Sequence, residues 1–170
     1  SIYSNFVKRL VAAIRSLKVG YAETAGTTVG PVIDEKSLEK IQKHIEIGKE
    51  ENRLVLEYPL PEGLAEEGYF IGPQVFADVD PSSRLAQEEI FGPVLAVLPV
   101  DDLSEAIEVV NDTDYALTAG VFSRSPGNLK RCVEELEVGN LYLNRGTTGA
   151  LVNRQPFGGF RMSGIGTKAG

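Results

Sequence analysis

The sequence predicts an α/β fold with parallel strands, and three observations carry that prediction. Between 94 and 144, strand-like and helix-like segments alternate in the manner of βαβ units. One of those strands, VLAVLPV (94–100), is continuously apolar, as expected for a strand covered on both faces. The composition, 42% hydrophobic and 24% charged over 170 residues, suits a single α/β domain over 1–170 with a sizeable core.

The elements follow in order. IYSNFVKRLVAAIRSL (2–17) places Phe6, Leu10, Ala13, Ile14 and Leu17 at helical spacing, with Lys8, Arg9 and Arg15 elsewhere. A Gly/Thr-rich loop leads to Asp34, which can cap a helix over EKSLEKIQKHIEIGKEE whose apolar face is Leu38, Ile41 and Ile45. RLVLEY (53–58) alternates like a strand, and YFIGPQVFADV predicts another, kinked at Gly72-Pro73. After the apolar strand, DDLSEAIEVVNDT reads as a capped helix and TAGVFSR as a short strand. PGNLKRCVEELEVG is a helix with Pro126 near its start and Gly139 past its end, and NLYLN (140–144) is the last clear strand.

Charge and composition exclude several functions. Lys plus Arg total 17 against 24 for Asp plus Glu, a net charge of −7, which disfavours nucleic acid and anionic membranes as partners. A single cysteine and a single histidine leave no disulfide framework and no Cys/His metal site; they suit a reducing, cytoplasmic setting. The longest apolar run, 90–100, is too short for a membrane span and is broken by Gly92, Pro93 and Pro99. The chain opens without an initiator Met or a signal peptide and stops in GIGTKAG, so both ends are expected to be cuts in a longer polypeptide.

Several apparent motifs fail on inspection. GFRMSG (159–164) has P-loop glycine spacing but lacks the Lys-Ser/Thr that follows it. GIGTKAG carries one residue too many for a dinucleotide fingerprint and follows no strong strand. Cys132 lies beside Leu129, Val133 and Leu136 on one helical face and reads as a buried thiol. His44 lies next to the apolar stripe of a charged helix, with no sequence-near carboxylate or serine that suggests a dyad, and reads as a solvent-edge histidine.

Two segments carry usable chemistry. QEEIFGP (87–93) places Glu88 and Glu89 before Phe91 and a Gly-Pro turn, at the head of a strand where α/β proteins gather ligand groups. A carboxylate there can accept both hydroxyls of a ribose, and an aromatic can pack on a flat ring; a solvated acidic loop over a core Phe is the other reading. In NRGTTGALVNRQPFGG (144–159), Gly149 and Ala150 offer little-shielded backbone N–H groups suited to a carboxylate, and Phe157 can wall an aliphatic chain. A long irregular connection is the alternative.

Taken together, GPVIDEKSLEKI, EEIFGPVLAV, NDTDYALTAGVFSR, VGNLYLN and PFGGFRMSG resemble the aldehyde dehydrogenase superfamily, in order and over essentially the whole chain. NRGTTGALVNRQPFGGF is similar to the subfamily that oxidises L-glutamate γ-semialdehyde (1-pyrroline-5-carboxylate) to L-glutamate with NAD⁺ in proline degradation. The resemblance implies a three-layer, parallel-sheet catalytic domain in a homo-oligomeric parent. It implies that the cofactor domain and nucleophilic Cys lie upstream of Ser1 and a final strand beyond Gly170, leaving no catalytic residue in this chain, which would be inactive alone. It further implies cofactor contacts from Glu89, Phe91 and, more loosely, Lys40, and substrate contacts from Gly149, Ala150 and Phe157. In that chemistry a thiolate attacks the aldehyde, hydride passes to NAD⁺ and water releases the acid. Two alternatives stay open: another semialdehyde substrate within the superfamily, or a non-catalytic binding or assembly domain.

Overall fold

Side-chain caps set where three of the five described helices begin. The computed structural model describes residues 2–148, 150 and 154–166. In it the Asp34 carboxylate accepts from the Ser37 N–H at 2.7 Å, and the helix it caps, Glu35–Glu51, covers the predicted segment to the residue. The chain divides into two compact units, 1–99 and 100–170.

The first unit contains α1 (Tyr3–Arg15), α2 (Glu35–Glu51), β1 (Arg53–Glu57), β2 (Gln74–Ala77), the single turn α3 (Arg84–Gln87) and β3 (Val94–Val97). Its sheet has the order β1-β2-β3, antiparallel between β1 and β2 and parallel between β2 and β3, where Gln74 pairs with Val94 and Ala77 with Val97. Ile41 and Ile45 of α2 meet Ile71, Phe76, Val79 and Leu85 in one core, with Leu38 at its margin, so the predicted face of α2 is the one it buries. Each such side chain contributes about 1.5–3 kcal/mol when fully buried.

Three expectations are corrected here. On α1 the buried residue is Val7, whereas Phe6 is 53% exposed, because the helix turns a neighbouring stripe inward. The second predicted strand pairs only from Gln74 onward, since Pro73 has no N–H to give a ladder. The strand buried on both faces is β2, not β3. All four residues of β2 are buried between its neighbours, whereas β3 stands at the sheet edge: Val94 and Ala96 pack on the core and Leu95, pointing the other way, is 42% exposed.

The second unit contains α4 (Leu103–Asn111), β4 (Tyr115–Ala116), β5 (Thr118–Val121), α5 (Pro126–Glu135), β6 (Asn140–Leu143) and β7 (Phe160–Arg161). Asp102 caps α4 by accepting from Ser104 N and Glu105 N, and Ser125 caps α5 with Pro126 at its first position. β5 and β6 pair in parallel through the α5 crossover, the βαβ unit that the alternation predicts. β4 pairs with β7 antiparallel. The α/β class with parallel pairing therefore holds. Cys132 is 1% exposed on α5, as expected, but Val133, expected on the same face, is 56% exposed. Gly139 lies past the end of α5, whose last helical residue is Glu135, and stands where a Cβ would collide with the Gly158 carbonyl oxygen. Among the described residues, no helix is long and apolar enough to cross a membrane.

Candidate functional site

The segment 88–93 alternates its side chains between α2 and the outside. Glu88, itself still exposed, reaches His44 on α2 and Ile90 packs against the core, while Glu89 is exposed with no such contact and Phe91 is 79% exposed. Phe91 adopts φ +59°, a left-handed conformation rare for an aromatic residue and costing about 1–3 kcal/mol. The next residue explains how close the turn lies to α2: a Cβ on Gly92 would come within 2.6 Å of Ile41 Cδ1. Lys40, one turn of α2 from His44, extends to the same segment and donates from Nζ to the Glu89 carbonyl oxygen at 2.6 Å. Lys40 and Glu89 are thus brought together, with Phe91 beside them presenting its ring outward.

The two acidic residues separate sharply in role. Glu88 is held by Arg84, whose Nε and Nη2 donate to its two oxygens at 2.5 and 3.1 Å, and by His44 Nε2 at 2.8 Å. The Arg84 guanidinium, and after it the His44 ring, hold the Glu88 carboxyl down at about 2. His44 is accordingly not a solvent-edge residue. It is 4% exposed, with Nδ1 facing the Lys40 carbonyl oxygen at 2.8 Å, and its carboxylate partner comes from a distant part of the chain. No sequence signal marks that pair, because the partners are 44 residues apart in the chain.

A pH test follows from the depressed carboxyl. A group that titrates lower when folded stabilises above its ordinary value, here 4.5, and the contribution disappears as pH falls through about 2. Glu88→Gln is therefore expected to lower the thermal midpoint at neutral pH, and the gap to the parent to close as acidity increases between those values. A gap that stays constant down to the acid limit would show that the charge on Glu88 contributes nothing.

In the second unit, Asn140 at the head of β6 anchors the loop that carries Phe157. Its Nδ2 donates to Pro156 O at 2.9 Å and its Oδ1 accepts from Gly158 N at 3.3 Å. Gln155 Nε2 donates to the Tyr142 hydroxyl at 3.2 Å. Phe157, 37% exposed, is presented from this anchored loop, and Ala150 is half-buried. Gly149 lies outside the described residues. Sequence reasoning missed Asn140, which reads there only as the first residue of a strand. Among the described residues no group of His, Cys, Asp or Glu is arranged to hold a metal ion.

The pattern of likeness to known proteins covers both units. The model of the aldehyde dehydrogenase family matches residues 1–170. The 1-pyrroline-5-carboxylate dehydrogenase of Geobacillus sp. (strain WCH70) is 50% identical over 169 residues, 99% of this chain and 32% of that protein. A crystal structure of 1-pyrroline-5-carboxylate dehydrogenase from Thermus with bound NAD superposes with a TM-score of 0.92 at 49% identity, covering 99% of this chain and 32% of that one. Mycobacterium tuberculosis aldehyde dehydrogenase complexed with NAD⁺ gives 0.90 at 36% identity, covering 99% and 34%. The chain spans about a third of the length of the curated relatives it matches.

Proposed function

The chain belongs to the aldehyde dehydrogenase family, and on that premise we propose that it forms much of the catalytic domain of an enzyme oxidising L-glutamate γ-semialdehyde to L-glutamate with NAD⁺. The observation that carries the reading is the Lys40–Glu89 contact beside an outward Phe91. It ties the Lys40 ammonium to the peptide of Glu89, whose carboxylate is exposed two residues before the exposed Phe91 ring, and these residue types suit the ribose and ring of a nicotinamide nucleotide. The 50% identity to a 1-pyrroline-5-carboxylate dehydrogenase supports the choice of aldehyde. The same reading places the whole enzyme in proline degradation, as a cytoplasmic homo-oligomer.

NAD⁺, when bound, supplies the electron acceptor for the aldehyde. Glu89 accepts hydrogen bonds from the nicotinamide-ribose hydroxyls, Lys40 fixes the peptide that carries Glu89, and Phe91 packs beside the nicotinamide. Backbone N–H groups of Gly149 and Ala150 bind the substrate α-carboxylate, and Phe157 walls its aliphatic chain. Cys132, buried on α5, is not the thiol that attacks the aldehyde. That thiol comes from a segment outside this chain, and the chain alone is inactive.

The test compares L-glutamate γ-semialdehyde with an aldehyde of equal length lacking the α-carboxylate, in the full-length enzyme. Two charge-assisted hydrogen bonds of about 1.5 kcal/mol or more each predict about a hundredfold or greater preference in kcat/KM. Equal kcat/KM for the two would transfer the chain to another aldehyde of the family. NADH formation by the isolated chain, surviving Cys132→Ser, would overturn its inactivity.

A further inference from the structure

We infer that His44 is a positioning residue for Glu89: from the buried face of α2 it grips Glu88 and so sets the direction in which the next carboxylate leaves the chain. The inference rests on the reading of Glu89 as a cofactor contact given above.

The geometry is a chain of fixed groups. The His44 ring is held against its own helix by the Lys40 carbonyl oxygen, which leaves Nε2 aimed at Glu88 at 2.8 Å. Glu88 is gripped from its other side by the Arg84 guanidinium on α3. Beyond Glu89, Ile90 packs into the core and Gly92 is seated on Ile41. The Glu89 peptide itself is pinned by Lys40 through its carbonyl oxygen. The residue proposed to hold the ribose is therefore flanked by anchored neighbours, and only its own side chain is left to move. Two of the anchors, Lys40 and His44, come from successive turns of α2, so one helix face determines the pose of the segment. An apolar residue at position 44 would fill the same core without placing a polar ring in it. A histidine that is 4% exposed and paired with a carboxylate adjoining the cofactor contact provides direction as well as packing.

The test uses the full-length enzyme carrying His44→Leu, His44→Gln, Arg84→Met, Glu89→Ala and the double variant His44→Leu/Glu89→Ala. His44→Leu is expected to raise the KM for NAD⁺ about tenfold and lower kcat while the aldehyde KM stays within about twofold. His44→Gln, whose amide can still donate to Glu88, is expected to stay within about threefold of the parent. In the Glu89→Ala background, His44→Leu is expected to add less than about twofold, because the two changes act through one group. Arg84→Met alters the surface side of Glu88 without touching the core, and an NAD⁺ KM raised about threefold is expected there. A lowered melting temperature for His44→Leu with unchanged NAD⁺ KM and kcat would overturn the proposal. Full additivity with Glu89→Ala would also overturn it. Should His44→Leu fail to fold, an unchanged NAD⁺ KM in Arg84→Met overturns it. If Glu89→Ala alone leaves the NAD⁺ KM unchanged, the cofactor reading has failed and the proposal falls with it.

Discussion

Gly139→Ala is expected to destabilise the protein by about 3 kcal/mol or more, among the larger effects a single substitution produces. The added Cβ would lie 1.8 Å from the Gly158 carbonyl oxygen, 2.8 Å from its carbon and 2.9 Å from Gly159 Cα, and all three are backbone atoms that cannot rotate away. Neither side of the contact can yield cheaply. Gly139 N donates to Ala116 O at 3.0 Å and Asn140 N to Leu117 O at 2.9 Å, which ties this stretch to β4 and the start of β5. Gly158 is held by the Asn140 side chain, and Gly159 O accepts from Gly166 N at 2.9 Å. Relief requires separating the two segments, and each hydrogen bond lost costs about 1 kcal/mol before any packing is counted. Gly127→Ala, near the start of α5, is the matched control. Its Cβ would meet only Ser125 Oγ at 3.8 Å, and replacing a helical glycine there is expected to be neutral or stabilising by up to about 1 kcal/mol. Thermal melts of the two variants check this. A Gly139→Ala protein that melts with the parent would mean that the two glycine segments are not in contact.

Local chemistry was legible in the sequence, and long-range pairing was not. Asp34, Asp102 and Pro126 mark helix starts because a cap or a locked φ acts within one turn, and the 3.6-residue period of Leu38, Ile41 and Ile45 reports the core directly. Cys132 was readable for the same reason. The apolar run at 94–100 was readable as a strand but not as to which strand is covered. Hydrophobicity states a preference for burial, whereas burial itself depends on neighbours, and β2 has a strand on each side. His44 failed because its partner is brought to it only by folding α3 onto α2. For the candidate site, the sequence offers a set of residue types in two loops. The division of labour there was not legible, since nothing in the letters EE says that Glu88 turns toward His44 and Arg84 while Glu89 turns out. The position of Gly139 past a helix end is legible, whereas its close backbone approach to Gly158 is not, and both favour the same residue.

The second large effect is on activity. Glu89→Ala in the full-length enzyme is expected to lower kcat/KM for NAD⁺ about a hundredfold, since two charge-assisted hydrogen bonds of about 1.5 kcal/mol each are lost together. The reduction should appear in both constants. A carboxylate on the nicotinamide ribose both retains the cofactor and orients the ring that accepts the electrons, so a loosened ring reacts more slowly even when bound. The KM for the aldehyde is expected to hold within about twofold, because its proposed grips, Gly149, Ala150 and Phe157, lie on a different segment. Stability is expected to change by less than about 0.5 kcal/mol, since Glu89 is exposed and its side chain anchors nothing in the core. That separation distinguishes it from its neighbour. Glu88→Ala removes the partner of a buried histidine and of Arg84, so its first effect is a lower melting temperature, with any change in NAD⁺ binding following from the displaced segment. Adjacent identical residues with opposite signatures, one kinetic and one structural, are what the alternation of 88–91 demands. A Glu89→Ala enzyme within about twofold of the parent for NAD⁺ would return the doublet to a solvated acidic loop. The left-handed Phe91 turn would then have to be explained by the packing of Gly92 on Ile41 alone.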